Sequence, residues 1–168
     1  MRKLFLVAAA TAGSLAASMS ANAVNITTTF AVTATVQKTC AVSANPLAFG
    51  TYTPGGGALT ANTTLSVRCT KTTPYTVSLN AGTTTGGTLA QRLMAGGGDT
   101  LQYNLYTTAA LATVFGDGTG SSATLGGTGS GVNTANTVTV YGQLPDSAAN
   151  QAVTPTNYGD TITVTVAY

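Results

Sequence analysis

Few side chains in this sequence could carry out catalysis. The chain has no His, and its four acidic residues are all Asp, so Glu is absent as well. A Ser-His-Asp or Cys-His nucleophile is therefore excluded. The four carboxylates could in principle act in pairs, as in glycoside hydrolases, but they lie in or beside turn-rich stretches: Asp99, Asp117, Asp146 and Asp160. We interpret the first three as turn residues and expect Asp160, at the start of the last strand, to bind local backbone. The sequence predicts no enzyme activity, no catalytic residue and no cofactor.

The N-terminus has the three parts of a secretory signal. Met1, Arg2 and Lys3 precede an apolar stretch that runs to Ala17, and small residues end the segment at Ala23. The apolar run is shorter than the roughly 18 to 20 residues that span a bilayer. We therefore predict a signal peptide over Met1–Ala23 and an exported mature chain.

Cys40 and Cys69 are the two cysteines of the chain. An even number of cysteines in an exported protein indicates a disulfide, whereas a metal site would lack His and a CxxC pair. A bridge closing a loop of this length should stabilise the fold by roughly 3 to 4 kcal/mol.

The charges of the mature chain are few and cancel. Four basic residues, Lys38, Arg68, Lys71 and Arg92, oppose the four aspartates. Such a surface cannot neutralise phosphates, so nucleic-acid binding is not expected. It also defends poorly against self-association, which suits a protein that packs against copies of itself.

Apolar residues recur at every second position in short runs. This period predicts β-strands, and the Gly- and Pro-rich stretches between them predict turns. The alternating residues are Leu65, Val67 and Cys69; Tyr75, Val77 and Leu79; Leu101, Tyr103 and Leu105; Val138 and Val140; and Ile162, Val164, Val166 and Tyr168. We predict an antiparallel β-sandwich, with a mobile surface loop over Gly116–Gly131 and Ala109–Val114 as its one candidate helical turn.

The tyrosines could line a sugar-binding face. On strands, however, Tyr more often packs in the core or across strands. The residues concerned are Tyr52, Tyr75, Tyr103, Tyr106, Tyr141, Tyr158 and Tyr168.

The longest alternation follows the predicted cleavage site. Every even position from Val24 to Val36 is apolar or Thr, and every odd one is polar except Ala31. As a strand this segment would extend about 43 Å, roughly twice the usual strand length. It is either a long first strand of its own sandwich or a strand that leaves its domain and augments a neighbour. In the second case, burying Val24, Ile26, Phe30 and Val32 would contribute about 6 to 12 kcal/mol before costs.

Several stretches along the mature chain match one family in order and spacing. They are Cys40-Ala41-Val42, Phe49-Gly50-Thr51-Tyr52, Leu65-Ser66-Val67-Arg68-Cys69-Thr70, Arg92-Leu93-Met94, Leu101-Gln102-Tyr103-Asn104-Leu105-Tyr106, Thr139-Val140-Tyr141-Gly142-Gln143-Leu144-Pro145, and the end from Tyr158 to Tyr168. With these stretches the chain resembles the spore coat protein U domain family, which includes the pilins of archaic chaperone–usher pili. It departs from the family pattern at Phe115, where Trp is expected, and at Asn157, where Gly is usual.

The resemblance implies an incomplete immunoglobulin-like β-sandwich that is completed by a donor strand. The strand would come first from a periplasmic chaperone and then from the N-terminal extension of another copy, in a non-covalent polymer passed through an outer-membrane usher. The implied donor residues are Val24, Ile26, Thr28, Phe30 and Val32, while Val36 to Cys40 would rejoin the home sheet. Ile162, Val164, Val166 and Tyr168 would face the core or the chaperone.

We therefore expect a signal peptide over residues 1–23, a donor extension over 24–36 and a sandwich domain over 37–168. The expected function is that of a structural pilus subunit, found in the periplasm during assembly and then at the cell surface, which supports adhesion and biofilm formation. No small-molecule substrate is expected. The alternative is a stand-alone secreted coat-like protein or carbohydrate-binding module, which would fold without a partner.

Overall fold

The computed structural model describes residues 23–168. The predicted signal peptide, apart from Ala23, lies outside the described residues. The chain separates into two units, one ending at Thr35 and one from Val36 to Tyr168, and each is described by itself.

The second unit consists of ten strands and one short helix. Their bounds are β1 Cys40–Ala44, β2 Leu59–Cys69, β3 Pro74–Leu79, β4 Arg92–Gly96, β5 Asp99–Tyr106, β6 Val114–Phe115, β7 Ser122–Ala123, β8 Leu125–Thr128, β9 Asn136–Leu144, α1 Ala148–Gln151 and β10 Val164–Ala167.

The larger sheet has the strand order β1-β2-β9-β5-β6-β7, and β4 pairs with β5 outside this path. Its longest ladder is the antiparallel pair of β2 and β9, which runs from Leu59 opposite Leu144 to Val67 opposite Asn136. β1 forms the edge of the sheet and pairs with β2, so that Cys40 lies opposite Cys69. The short pair of β6 and β7 is parallel, in contrast to the other pairs.

The smaller sheet has the order β10-β3-β8. The C-terminal strand β10 is therefore an edge strand, paired on one side with β3 from Val164 opposite Leu79 to Ala167 opposite Thr76. β10 and β1 are edge strands of different sheets, and their Cα atoms approach within 8 Å.

The core lies between the two sheets and is built from the alternating residues of the sequence. The buried cluster comprises Leu65, Val67, Cys69, Tyr75, Val77, Leu79, Tyr103, Leu105, Phe115 and Val140. Because successive strand residues point to opposite faces, one set of alternate positions from each strand fills this space. The predicted all-β, immunoglobulin-like sandwich is confirmed.

The segment Gly116–Gly131 corrects the prediction of a surface loop. It contains β7 and β8, and β8 pairs with β3 through Leu125 opposite Val77. A Cβ atom at Gly127 would collide with the ring of Tyr75, so the absence of a side chain lets this strand approach its partner. Close packing therefore requires three of the glycines that suggested a loop, Gly116, Gly127 and Gly129.

The helical features also differ from the prediction. Ala109–Val114 contains a turn at Ala109 and Ala110 and the first residue of β6 rather than a helix. The short helix α1 occurs instead at Ala148–Gln151, capped by Ser147. Neither this helix nor any other in residues 23–168 is long and apolar enough to cross a membrane.

Residues 23–39 contain no assigned strand. Pairing with the home sheet begins at Thr39, whose carbonyl oxygen accepts a 2.9 Å hydrogen bond from the backbone N–H of Thr70. Val36, where we expected the chain to rejoin the sheet, is 85% exposed.

Candidate functional site

An apolar groove lies between the segment that follows β1 and the segment that leads into β10. Its volume is ≈ 360 Å³. One wall is formed by residues from 44 to 49 and the other by residues 158–162 and Val164, while the floor consists of core side chains: Leu65, Leu79, Tyr103, Leu105 and Val140. A cleft of this shape can receive an extended peptide whose alternate side chains are apolar.

The C-terminal wall of the groove has a regular alternation. Tyr158, Asp160, Ile162 and Val164 are half-buried, whereas the residues between them are exposed. Ile162, Val164 and Val166 pack against the core cluster. The last residue, Tyr168, is 58% exposed. Three of the four predicted C-terminal residues therefore lie beside the core, and Tyr168 does not.

The groove continues beyond Tyr158 as a second cleft of ≈ 610 Å³. The two share Leu47, Phe49, Met94 and Tyr158. The second cleft adds the apolar side chains of Leu101, Leu144 and Val153, and its C-terminal wall extends back to Val153. Together the two clefts follow the C-terminal chain from Val153 to Val164.

A polar pair lines the first cleft. The hydroxyl of Tyr103 donates a 2.6 Å hydrogen bond to Oδ2 of Asp160. Oδ1 of Asp160 accepts bonds from the backbone N–H groups and the hydroxyls of Thr83 and Thr84, at 2.9 to 3.1 Å. Burial favours the neutral acid, but these hydrogen bonds outweigh it and lower the pKa of Asp160. Burial and the carboxylate together raise the pKa of Tyr103.

Asp160 binds the adjacent backbone of Thr161, as expected, but most of its partners are distant. Two of these, Thr83 and Thr84, lie in the loop after β3, and a Cβ atom at Gly82 would collide with the carboxylate of Asp160. Gly82 has a φ of +95°, which also favours glycine. Asp160 thus joins the groove wall to a distant loop.

Arg92 is a fully buried cation on β4, close to the loop after β3. Its guanidinium donates to the carbonyl oxygens of Asn80 and Phe115 and to Oδ1 of Asn104, at 2.7 to 3.0 Å. Desolvation lowers its pKa, and the negative charges of neighbouring groups oppose that effect. These bonds satisfy the donors of a buried charge and fix β4 against the core. No local pattern in the sequence indicates that this Arg is buried.

The other three aspartates each hold a loop. Asp146 accepts bonds from Tyr52 at 2.5 Å and from the N–H groups of Gly55 and Gly57 at 3.1 and 2.9 Å. Asp99 binds Thr154, and Asp117 binds Thr119 within its own turn. Within residues 23–168, no cluster of three His, Cys, Asp or Glu side chains could hold a metal ion.

The predicted disulfide between Cys40 and Cys69 is present. It links β1 to β2 at the start of the edge strand. Since β1 pairs with a strand on one side only, the bridge secures the edge that leads to the groove.

The N-terminal segment exposes the apolar residues that the sequence singles out. Val24 is 82% exposed, Ile26 94%, Phe30 86% and Val32 84%, and Thr28 is exposed as well. Closely spaced exposed apolar side chains of this size mark an interaction surface.

The family model of the Spore Coat Protein U domain matches residues 26–165. The chain belongs to this family. The match includes most of the alternating N-terminal segment as well as both walls of the groove.

The solved structures with a similar fold include the crystal structure of the CsuC-CsuE chaperone-tip adhesion subunit pre-assembly complex from archaic chaperone-usher Csu pili of Acinetobacter baumannii. The similarity has a TM-score of 0.54 at 23% sequence identity and covers 80% of this Spore Coat Protein U domain chain and 40% of the other chain. No curated protein matches the chain.

Some groove residues of this Spore Coat Protein U domain were not predicted as site residues. Leu47, Phe49 and Met94 line both clefts, and the ring of Phe49 packs edge-on against Tyr103 at 6.1 Å. Phe49 and Met94 lie in stretches that carry the family resemblance. That resemblance marks these residues, but only the fold shows that they meet.

Proposed function

We propose that this protein is a structural subunit of a surface pilus, assembled by the chaperone–usher route through donor-strand complementation. In this proposal, residues 24–32 of one copy lie in the groove of the next. The observation that carries the proposal is the pairing of an apolar groove between two sheet edges with an exposed, alternating apolar segment in the same chain.

The chemistry of the two surfaces supports the proposal. The groove offers aliphatic and aromatic side chains, and the segment offers Val24, Ile26, Phe30 and Val32 at every second position. In an extended strand these four side chains lie on one face, which can pack into the groove, and apolar burial supplies the driving force.

The backbone supports it as well. The two groove walls continue the edge strands β1 and β10, and each of these edges leaves one row of N–H and C=O groups without a neighbouring strand. Such edges invite the pairing of another chain. An inserted strand would satisfy these groups and cover the core at the same time, which is the β-augmentation mode of recognition.

The same groove explains the need for assembly partners. A subunit with a free groove exposes part of its core, so a periplasmic chaperone would cover the groove until an outer-membrane usher exchanges it for the next subunit. The related structure is itself described as a complex of a chaperone with a pilus subunit. The resulting fibre would stand at the cell surface and support adhesion and biofilm formation.

Deletion of Val24–Val32 tests the proposal in cells that carry the assembly machinery. Electron microscopy should show normal fibres for the unmodified chain and none for the deletion. Phe30→Asp and Thr29→Asp form a matched pair with the same added charge. We expect Phe30→Asp to abolish fibres and Thr29→Asp to leave them largely intact, because only position 30 faces the groove.

Normal fibres from the deletion variant would refute donor-strand complementation. A mature chain that folds alone as a stable monomer, with the groove closed, would instead favour the stand-alone coat-like or carbohydrate-binding protein.

A further inference from the structure

Three cations of the sandwich are exposed and lie together at one of its ends. Arg68 is the last residue but one of β2, and Lys71 lies in the turn after this strand. Lys38 precedes Thr39, which is hydrogen-bonded to Thr70 at the same end of β2. We call Lys38, Arg68 and Lys71 the basic end. The N-terminal extension joins the sandwich here.

Two of the four carboxylates lie at the opposite end of the larger sheet. β2 and β9 form a ladder of nine residue pairs, and Asp146 follows β9 where Leu144 pairs with Leu59, far from the basic end. Asp99 begins β5, which pairs with β9 only from Asn104 onward. Asp99 therefore lies beyond the same end of the ladder as Asp146.

The other two carboxylates lie beyond the end of β3. This strand starts just after the basic end and runs away from it. Asp160 accepts hydrogen bonds from Thr83 and Thr84 in the loop after β3, and Asp117 is one residue from a backbone hydrogen bond to Leu79, the last residue of the strand. We call the four residues the acidic end: Asp99, Asp117, Asp146 and Asp160.

The sandwich therefore carries opposite charges at its two ends. The basic end has a side-chain charge of +3, and the four carboxylates with the nearby guanidinium of Arg92 have −3. The nine pairs of β2 and β9 separate the ends by about 27 Å. This distance is more than three Debye lengths at physiological salt, about 8 Å each, so the ends do not neutralise each other within one copy.

The short connection to the extension places the basic end near a neighbour's groove. Six residues lead from Val32 to Lys38, so the basic end of the donor copy lies within about 21 Å of the point where its extension leaves the groove. The lining of the two clefts starts at Val153, and the next residue is hydrogen-bonded to Asp99 at 2.8 Å. It ends at Val164, on the strand that runs toward the start of β3 and the basic end.

We propose that the basic end of one copy packs against the acidic end of the next in the fibre, so that the extension enters the groove from its Val153 end. This inference rests on the proposed function. Opposite charges attract at such a junction, whereas entry from the Val164 end would set two basic ends against each other. Charge complementarity of this kind fixes the orientation of partners, although each exposed pair contributes little energy.

Charge reversal at the basic end tests the junction. The full chain is assembled in cells, and the dissociation rate of the purified fibres is measured in urea, which adds no salt. Lys38→Glu/Lys71→Glu should speed dissociation about tenfold at low salt and less than twofold at 1 M NaCl, where the Debye length is about 3 Å. The control Asn62→Glu/Thr108→Glu adds two carboxylates midway between the ends and should change the rate less than twofold.

Compensating lysines distinguish a contact between copies from an effect within one copy. Ala149 on α1 and Thr100 on β5 are exposed near the acidic end. Adding Ala149→Lys/Thr100→Lys to the reversed variant should return the rate to within about threefold of that of the unmodified chain. The two ends are too far apart in one copy for this effect. If the reversed variant forms no fibres, their return on adding the lysines has the same meaning.

Neutralisation decides the orientation by its sign. Lys38→Gln/Lys71→Gln should speed dissociation at low salt, whereas slower dissociation would show that two basic ends meet and would overturn the proposal. An unchanged rate, or reversed fibres that the added lysines do not restore, would overturn it too. Failure of the proposed function looks different: the deletion of residues 24–32 would then leave assembly unchanged.

Discussion

Tyr103 and Asp160 join two parts of the fold that are far apart in the sequence. The hydroxyl of Tyr103, on β5, donates a 2.6 Å hydrogen bond to Asp160, in the segment that leads into β10. The same carboxylate holds Thr83 and Thr84 in the loop after β3. One side chain thus positions the wall of the groove against both sheets.

Replacing Asp160 should therefore weaken the subunit itself. Asp160→Asn keeps the size of the side chain but loses the charge and turns one acceptor into a donor facing donors. We expect a loss of about 1 to 3 kcal/mol in the free energy of unfolding. Denaturant unfolding of the mature protein measures it, and Asp117→Asn, whose bonds lie within an exposed turn, is the control. Equal losses for both variants would show that the link across the fold adds nothing.

A buried charge without a carboxylate partner makes Arg92 the most sensitive polar position. Arg92→Met fills much of the same volume but leaves the carbonyl oxygens of Asn80 and Phe115 and the amide oxygen of Asn104 unpaired. We expect a loss of about 3 kcal/mol or more, seen as low yield and rapid proteolysis. Arg68→Met is the matched control, since Arg68 is exposed and its hydrogen bond, to Asn133, lies at the surface. A stable Arg92→Met protein would contradict this role.

Acid should destabilise the domain over a defined range. Hydrogen bonds from Tyr52, Gly57 and Gly55 lower the pKa of Asp146 to about 2. A carboxyl whose pKa is lower in the folded state stabilises the fold at pH values above its pKa in the unfolded chain, near 4. That contribution is lost as the pH falls toward the pKa of the folded state. The melting temperature should therefore drop between about pH 4 and pH 2. In Asp146→Asn the melting temperature should fall less over this pH range. A pH dependence equal to that of the unmodified protein would contradict the role of Asp146.

Loss of the disulfide should lower stability without changing the fold. The bridge joins residues separated by 29 positions, which corresponds to roughly 3 to 4 kcal/mol on the chain-entropy model. We expect the double variant Cys40→Ser/Cys69→Ser to unfold at a lower denaturant concentration than the unmodified protein. Reducing the disulfide of the unmodified protein should lower its unfolding midpoint by the same amount. Equal midpoints under oxidising and reducing conditions would argue that β1 needs no bridge.

The alternating strands could be predicted from the sequence, because each has one buried face. Val67 and Val77 are fully buried and lie on strands that the period-two pattern indicated. The strand β8 could not be predicted in this way, since its residues Leu-Gly-Gly-Thr show no alternation. What places them in a sheet is the close approach of Tyr75 to Gly127, a tertiary contact that composition does not reveal.

The site was predictable in part, for a related reason. The alternation of residues 24–36 and that of the C-terminal strand are visible as patterns. The polar position at Asp160 and the burial of Arg92 depend on partners up to 77 residues away in the sequence, so no local pattern reports them. Sequence periodicity identifies surfaces that need covering, but the fold is required to show which surfaces meet.

Photocrosslinking at position 30 tests the central claim most directly. A benzoyl-phenylalanine placed at Phe30 of the full chain, in cells that assemble the fibre, should on irradiation give a ladder of covalently linked copies. Mass spectrometry should place the linked peptide within residues 44–49 or 156–164 of the neighbouring copy. The same photoreactive residue at Thr29 should crosslink far less to these segments. Crosslinks confined to single chains, or equal yields at the two positions, would contradict the account.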